Sequence, residues 1–178
     1  GTFTMQPSRI GIDMDEVICD FHGHIFDCAA AHTGLDPALR YTRPVFEMLS
    51  PEQAAHCRAL LNDGAVFRDF APLTGAIEVI KELDQKHDVF IISAATNNPN
   101  SLKPKYDWVR THLPFFDPLK LVLCGHKYFA NVDYLIDDTP SHLESCNGEG
   151  ILFTGPRNRS ETRFKRVDTW ADVAQLFL

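Results

Sequence analysis

The sequence predicts an α/β fold of three layers: a mostly parallel sheet with helices on both faces, and a small helical cap inserted after the first strand. Three observations lead there. Short apolar runs bounded by turn residues alternate with amphipathic helical stretches, the pattern of a sheet built from crossover units. The strongest run, DVFIISAA at 88–95, is β-branched and apolar throughout, as a strand covered on both faces must be. Residues 22–73 then break the rhythm, with helical stretches and no convincing strand. The expected organisation is a core formed by residues 1–21 and 74–178 and a cap formed by residues 22–73.

Taken in order, SRIGIDM (8–14) reads as a short central strand. In the insertion, HIFDCAAAH is one helical stretch and SPEQAAHCRALLNDG a second. The second carries a full set of end signals: Ser50 as cap, Pro51 in the first turn, Gln53 completing a capping box, and Gly64 as a stop. TGAIEVIKELDQKH places Ile77, Ile80 and Leu83 on one face, with Thr74 as the expected cap. After the 88–95 strand, LKPKYDWVRTHL is expected to begin a helix near Pro104. LKLVLC (119–124), VDYLID (132–137) and GILFTG (150–155) are three further strands, and PSHLESC and DTWADVAQLFL complete the alternation.

The chain has 178 residues, enough for one domain with a substantial core, and its 44% apolar and 23% charged content is ordinary for a globular protein. A formal net charge of −7 gives no reason to bind a nucleic-acid backbone or an anionic membrane. A chain this acidic that handles an anionic substrate needs a local positive focus. Five scattered cysteines (Cys19, Cys28, Cys57, Cys124, Cys146) show no metal-ligand spacing and read as reduced thiols of a cytoplasmic protein. No apolar stretch approaches the roughly 18 residues a bilayer span requires. The opening GTFTMQPS has no targeting pattern, and Met5 reads as a candidate native start, with residues 1–4 an addition.

In open parallel sheets, ligands bind beyond the carboxyl ends of the strands. The polar residues at those ends are Asp13 and Asp15, then Ser93 and Thr96, then Lys127, then Asp137 and Asp138. Asp13 and Asp15 lie two apart, so an extended backbone points both the same way. Hard oxygen ligands of this kind suit Mg²⁺, while a hydroxyl and a lysine supply donors to phosphoryl oxygens. Taken singly, each station has a plain reading: a strand-end cap, an Asx turn before Pro140, a solvated loop lysine. Their order and common edge favour a phosphate site.

The set resembles the haloacid dehalogenase superfamily of phosphatases, and DMDEVICDF, FRDFAPLTGA, VFIISAAT and YLIDDTP are similar to the 5′(3′)-deoxyribonucleotidases and their bacterial relatives. That resemblance implies a Rossmann-like core and Mg²⁺-dependent removal of phosphate from (deoxy)nucleoside monophosphates. It implies Asp13 as nucleophile and Asp15 as general acid and base. It implies Mg²⁺ bound by Asp13, the carbonyl of Asp15 and Asp138, with Asp137 supporting them. Ser93, Ala94 and Lys127 fall at the phosphate-binding positions, and Phe21, Phe67 and Arg68 at those that meet the substrate. A homodimer is a state the resemblance allows. Three positions depart from the animal enzymes: Glu16 stands where they have glycine, though bacterial relatives accept Glu there, Ala94 where they have serine, and Gly125 where they have arginine; and no acidic residue follows the Asp pair within five positions, as one does in many members of the superfamily.

Alternatives stay open at this point. A phosphatase of another small ester, such as a sugar phosphate, would use the same residues. A phosphoacceptor signalling domain also surrounds Mg²⁺ with Asp, Ser/Thr and Lys, but there the acidic pair comes early. A catalytically dead relative is disfavoured by the intact Asp13, Asp15, Lys127 and Asp138.

Overall fold

The computed structural model describes residues 6–178, so the expected addition at residues 1–4 lies outside it. Six parallel strands form one sheet: β1 (Arg9–Ile12), β2 (Asp88–Ser93), β3 (Leu121–Leu123), β4 (Tyr134–Asp137), β5 (Glu149–Phe153) and β6 (Lys165–Val167), in the order β3-β2-β1-β4-β5-β6. Ile10 of β1 lies opposite Val89 on one side and Tyr134 on the other, which fixes the register at the centre. Strand order runs outward through β2 and β3 and then reverses to β4. The switch therefore falls between β1 and β4, where such sheets open a crevice at their carboxyl ends.

Among the described residues, six α-helices accompany the strands: α1 (Phe21–Thr33), α2 (Pro51–Asp63), α3 (Ala76–Lys86), α4 (Leu102–His112), α5 (Pro140–Ser145) and, after the last strand, α6 (Trp170–Phe177). The end signals of α2 act as the sequence implies. Ser50 and Gln53 form both bonds of the capping box, and Gly64 closes the helix in the left-handed region at φ 89°. Helix α3 differs: its cap is Gly75 at φ 81°, and Thr74 makes no side-chain cap bond. The turn before α3 needs a positive φ that glycine supplies at little cost, so Thr74 is displaced from the capping role. The run at 119–124 is also shorter than expected, because Pro118–Lys120 form a helical turn that Asp117 caps. Strand β6 has no counterpart among the expected strands; three residues carry too little alternation to read.

One apolar cluster holds strand residues (Ile10, Ile12, Ile136), helix residues of the 22–73 segment (Ile25, Phe26, Cys57) and the indoles of Trp108 and Trp170. A side chain of that size contributes about 1.5–3 kcal/mol on full burial. Both indoles also donate across element boundaries, Trp108 Nε1 to the Phe70 carbonyl and Trp170 Nε1 to the Val17 carbonyl, each at 2.7 Å. They pin α4 to the far end of the helical segment, at Phe70, and α6 to the loop that precedes it, at Val17. There the chain enters and leaves side by side: Asp20 N–H donates to the Ala71 carbonyl at 2.8 Å and Leu73 N–H to the Ile18 carbonyl at 2.7 Å. A smaller cluster (Ile92, Leu135, Leu143, Leu152) lies on the other face of the sheet, against α5. No helix among the described residues is long and apolar enough to cross a membrane.

Candidate active site

The strand ends bring the predicted residues together. Asp13 follows β1, and its N–H donates to the Ile136 carbonyl of β4 at 2.9 Å, which seats it in the crevice. Ser93 closes β2 and is buried, Asp137 closes β4, and Asp138 follows it. Lys127, in the loop after β3, reaches back with a fully buried side chain. Its Nζ donates to Asp13 Oδ1 at 2.7 Å and Asp137 Oδ2 at 2.8 Å.

The charges here do not cancel. Asp13, Asp137 and Asp138 are all buried, each offers an oxygen within 4.8 Å of the others, and among the described residues Lys127 is the one ammonium bonded to them. Burial, then repulsion from Asp137, raises the Asp13 carboxyl to about 6 despite Lys127. Burial, then Asp13 and Asp137, pushes Asp138 well above the carboxylate range. Asp137 goes the other way: burial opposes its charge, but Lys127 and His142 outweigh that and leave it at about 2. A carboxylate cluster with this deficit of positive charge fits a divalent cation. Asp137 is the least available of the three, because Lys127, His142 Nδ1 (3.0 Å) and the Thr139 N–H (3.0 Å) already occupy its oxygens. Asp13 and Asp138 are the side chains left to hold an ion.

Asp15 is partly exposed, and its partner is a residue that sequence reasoning missed. Lys105 Nζ donates to Ser93 Oγ at 2.8 Å and to Asp15 Oδ2 at 3.2 Å, joining two of the stations. Its side chain is 6% exposed and lies over the Phe67 ring at 5.0 Å. The signal was legible. Lys105 shares a helix face with Trp108 and Val109, three and four residues on, and both of those are buried.

The mouth of the cleft is lined by Phe21, His22, Phe67, Ala94, Asn98 and Arg157, among others. Phe21 and Phe67 both pack edge-on against Phe70. Arg68 stands apart: it is half-exposed, pairs with Asp107 of α4 at 2.7 Å and does not line the cleft. Glu16 holds φ 62°, a left-handed backbone conformation that glycine adopts more readily than other residues. Its buried carboxylate accepts the His22 N–H at the start of α1, and burial raises it to about 7.

Residues 7–178 match the family described as 5′ nucleotidase, deoxy (pyrimidine), cytosolic type C protein. The chain belongs to this nucleotidase family. A Staphylococcus aureus (strain Mu50) protein is 37% identical to it over 175 residues, covering 98% of this chain and 97% of its own. The 5′(3′)-deoxyribonucleotidase of Bacillus subtilis (strain 168) is 35% identical over 175 residues, covering 95% and 98%. The fold is that of the haloacid dehalogenase hydrolases. The magnesium-bound structure of YfnB from Bacillus subtilis superimposes with a TM-score of 0.59 at 12% identity, covering 97% of this chain and 99% of its own. A HAD-superfamily hydrolase from Ehrlichia chaffeensis gives 0.54 at 12% identity, covering 98% of each. The nucleotidase is thus a hydrolase whose family relatives share nearly its whole length.

Proposed function

We propose that this nucleotidase hydrolyses (deoxy)nucleoside monophosphates through an aspartyl-phosphate on Asp13, with Mg²⁺ as cofactor, in the cytoplasm, and that residues 22–73 form its cap. The reading is carried by one observation: Asp13, Asp15, Ser93 and Lys127, from separate parts of the chain, lie at one rim within two short hydrogen-bonded chains. Asp13, Asp138 and the backbone carbonyl of Asp15 would hold the ion, whose chemistry is to neutralise charge between carboxylate and phosphate.

Asp13 attacks phosphorus in line, and the bond from phosphorus to the nucleoside oxygen breaks. Asp15 gives that oxygen a proton as it leaves. Asp15 then takes a proton from water, which attacks phosphorus and releases inorganic phosphate from the Asp13 carboxylate. Lys127 and Ser93 hold the phosphoryl oxygens, and donors placed this way typically supply about 10²–10³-fold in rate. Lys127 also keeps Asp137 charged and in place. Five free cysteines are consistent with a reducing compartment.

The test is a turnover panel of phosphate esters with and without EDTA. Nucleoside monophosphates should be the best substrates, and chelation should stop turnover until Mg²⁺ is returned. Sugar phosphates hydrolysed a hundredfold faster than any nucleotide would end the nucleotide reading. Asp13→Asn should abolish turnover while leaving the fold intact by circular dichroism. Near-normal activity in that variant would remove the nucleophile assignment.

A further inference from the structure

Among the described residues that line the cleft, Lys105 is already bonded to Asp15 and Ser93, while Arg157 makes no hydrogen bond or ion pair. Its guanidinium carbon lies 5.9 Å from the centroid of the Phe21 ring, the outer limit of a cation–π contact. It is also near enough to His22 to disfavour a second positive charge there. A guanidinium carries five donors and no acceptor. In a cleft lined by Asp13, Asp15, Glu16 and Asp138, these donors are unspent.

The loop that carries Arg157 is built, not loose. Asn158 beside it is 2% exposed and donates from Nδ2 to the Asp138 carbonyl at 2.9 Å and the Phe153 carbonyl at 2.8 Å. Its Oδ1 accepts from Gly155 N–H and from Arg166 Nη1, both at 3.1 Å, and its carbonyl accepts from Arg166 Nη2 at 2.8 Å. Asn158 therefore fixes the Arg157 backbone relative to Asp138, a residue of the chemical centre. A cation on so fixed a mount, beside an aromatic ring and without a partner, is arranged to meet something from outside.

We infer that Arg157 is a specificity-determining residue that reads the leaving group over Phe21, donating to carbonyl oxygens of a nucleobase. The inference rests on the nucleotide reading above. Uracil, thymine and guanine present exocyclic carbonyls, and adenine presents none, so the guanidinium favours the first three. The phosphate itself is gripped by Ser93 and Lys127, so Arg157 acts on substrate affinity and not on the chemical step.

The experiment compares the parent with Arg157→Met and Arg157→Lys on dUMP, dTMP, dGMP, dAMP and p-nitrophenyl phosphate, with inorganic phosphate as inhibitor. Arg157→Met should raise KM for the three carbonyl-bearing nucleotides about tenfold, the size of one lost guanidinium–base contact, with kcat within about twofold. The dAMP KM, the aryl phosphate kcat/KM and the phosphate Ki should each move less than about threefold. Lysine, a cation without the planar fork, should recover only part of the discrimination. Equal weakening of dAMP and dTMP, a parallel rise in the phosphate Ki, or no change at all would overturn the assignment. A parent enzyme that prefers non-nucleotide esters would instead overturn the nucleotide reading, and this inference with it.

Discussion

Lys127→Met separates the two jobs of the buried ammonium. The side chain is 0% exposed and touches two carboxylates, Asp137 at 0% and Asp13 at 10% exposure. Methionine keeps much of the volume but leaves both carboxyls without their cation. Breaking a buried ion pair from one side costs about 3–5 kcal/mol, a large part of the roughly 5–15 kcal/mol that holds a domain folded. The sign with pH follows. Without Lys127, only His142 and the Thr139 N–H still oppose burial at Asp137, so its folded pKa rises from about 2, and that of Asp13 rises further above the unfolded value than it already stands. An acid raised in the folded state penalises folding fully above its folded pKa and is relieved as pH falls, by about 1.4 kcal/mol for each tenfold gain in proton affinity on folding. The cost of the variant should therefore shrink between pH 7.5 and pH 5. Lys127→Met/Asp137→Asn removes one stranded charge and should regain about half the lost stability, yet stay some 10²-fold or more below the parent in kcat, because in the proposed mechanism the phosphoryl group still lacks its donor. Urea unfolding in EDTA at both pH values, with kcat measured on the same preparations, gives the answer. A single variant within about 1 kcal/mol of the parent at pH 7.5, or a cost that does not change with pH, would refute the charge argument.

Lys105→Met should lower kcat on nucleotides about 10–100-fold and on p-nitrophenyl phosphate much less, since an aryloxide leaves without the proton that the proposed mechanism assigns to a well-placed Asp15. Equal losses on both esters would show that Lys105 serves Ser93 alone. His22 is 2% exposed and its imidazole is held down at about 4, by burial first and by Arg157 second. Between pH 6.5 and 4 the unfolded chain takes up a proton that the folded chain refuses, so stability should rise with pH across that window, by up to about 3 kcal/mol. His22→Asn should flatten the slope in thermal melts; an unchanged slope would clear His22. Gly64→Ala puts a Cβ where the Asn100 carbonyl oxygen lies 2.3 Å away, at φ 89°, and should cost about 2 kcal/mol or more by denaturant unfolding. A neutral result would mean that the α2 end and the 98–101 loop are not packed as described.

The sequence carried the meeting of polar residues at one sheet edge better than what surrounds it. Asp13, Ser93, Lys127 and Asp138 were legible because apolar runs mark strand ends, and a parallel sheet collects strand ends at one edge. The capping box at Ser50 and Gln53 was legible because it is local. Thr74 lost its cap to Gly75 because the turn into α3 takes a positive φ, which the residue pattern alone does not announce. Arg68 and Phe67 are adjacent yet face apart, Phe67 into the cleft and Arg68 to Asp107, and only the packing of α4 settles which does which. Arg157 sits in a loop, where no periodicity tells direction. Lys105 had a readable signal, a charge on the apolar face of a helix, but it takes the fold to show that Ser93 and Asp15 lie across from it.

The far end of α2 has a further bearing on turnover. Its last carbonyls, on Leu61 and Asn62, accept from the side-chain amides of Asn98 and Asn100. Those asparagines follow closely on Ser93 and Ala94, so an outer helix and the hydroxyl's own backbone are fastened together. With the backbone also joined at Asp20–Ala71 and Ile18–Leu73, the 22–73 segment cannot swing as a free flap without tearing several bonds at once. Any outward movement of α2 would have to break the Asn98 and Asn100 bonds and would pull on the backbone just beyond Ser93.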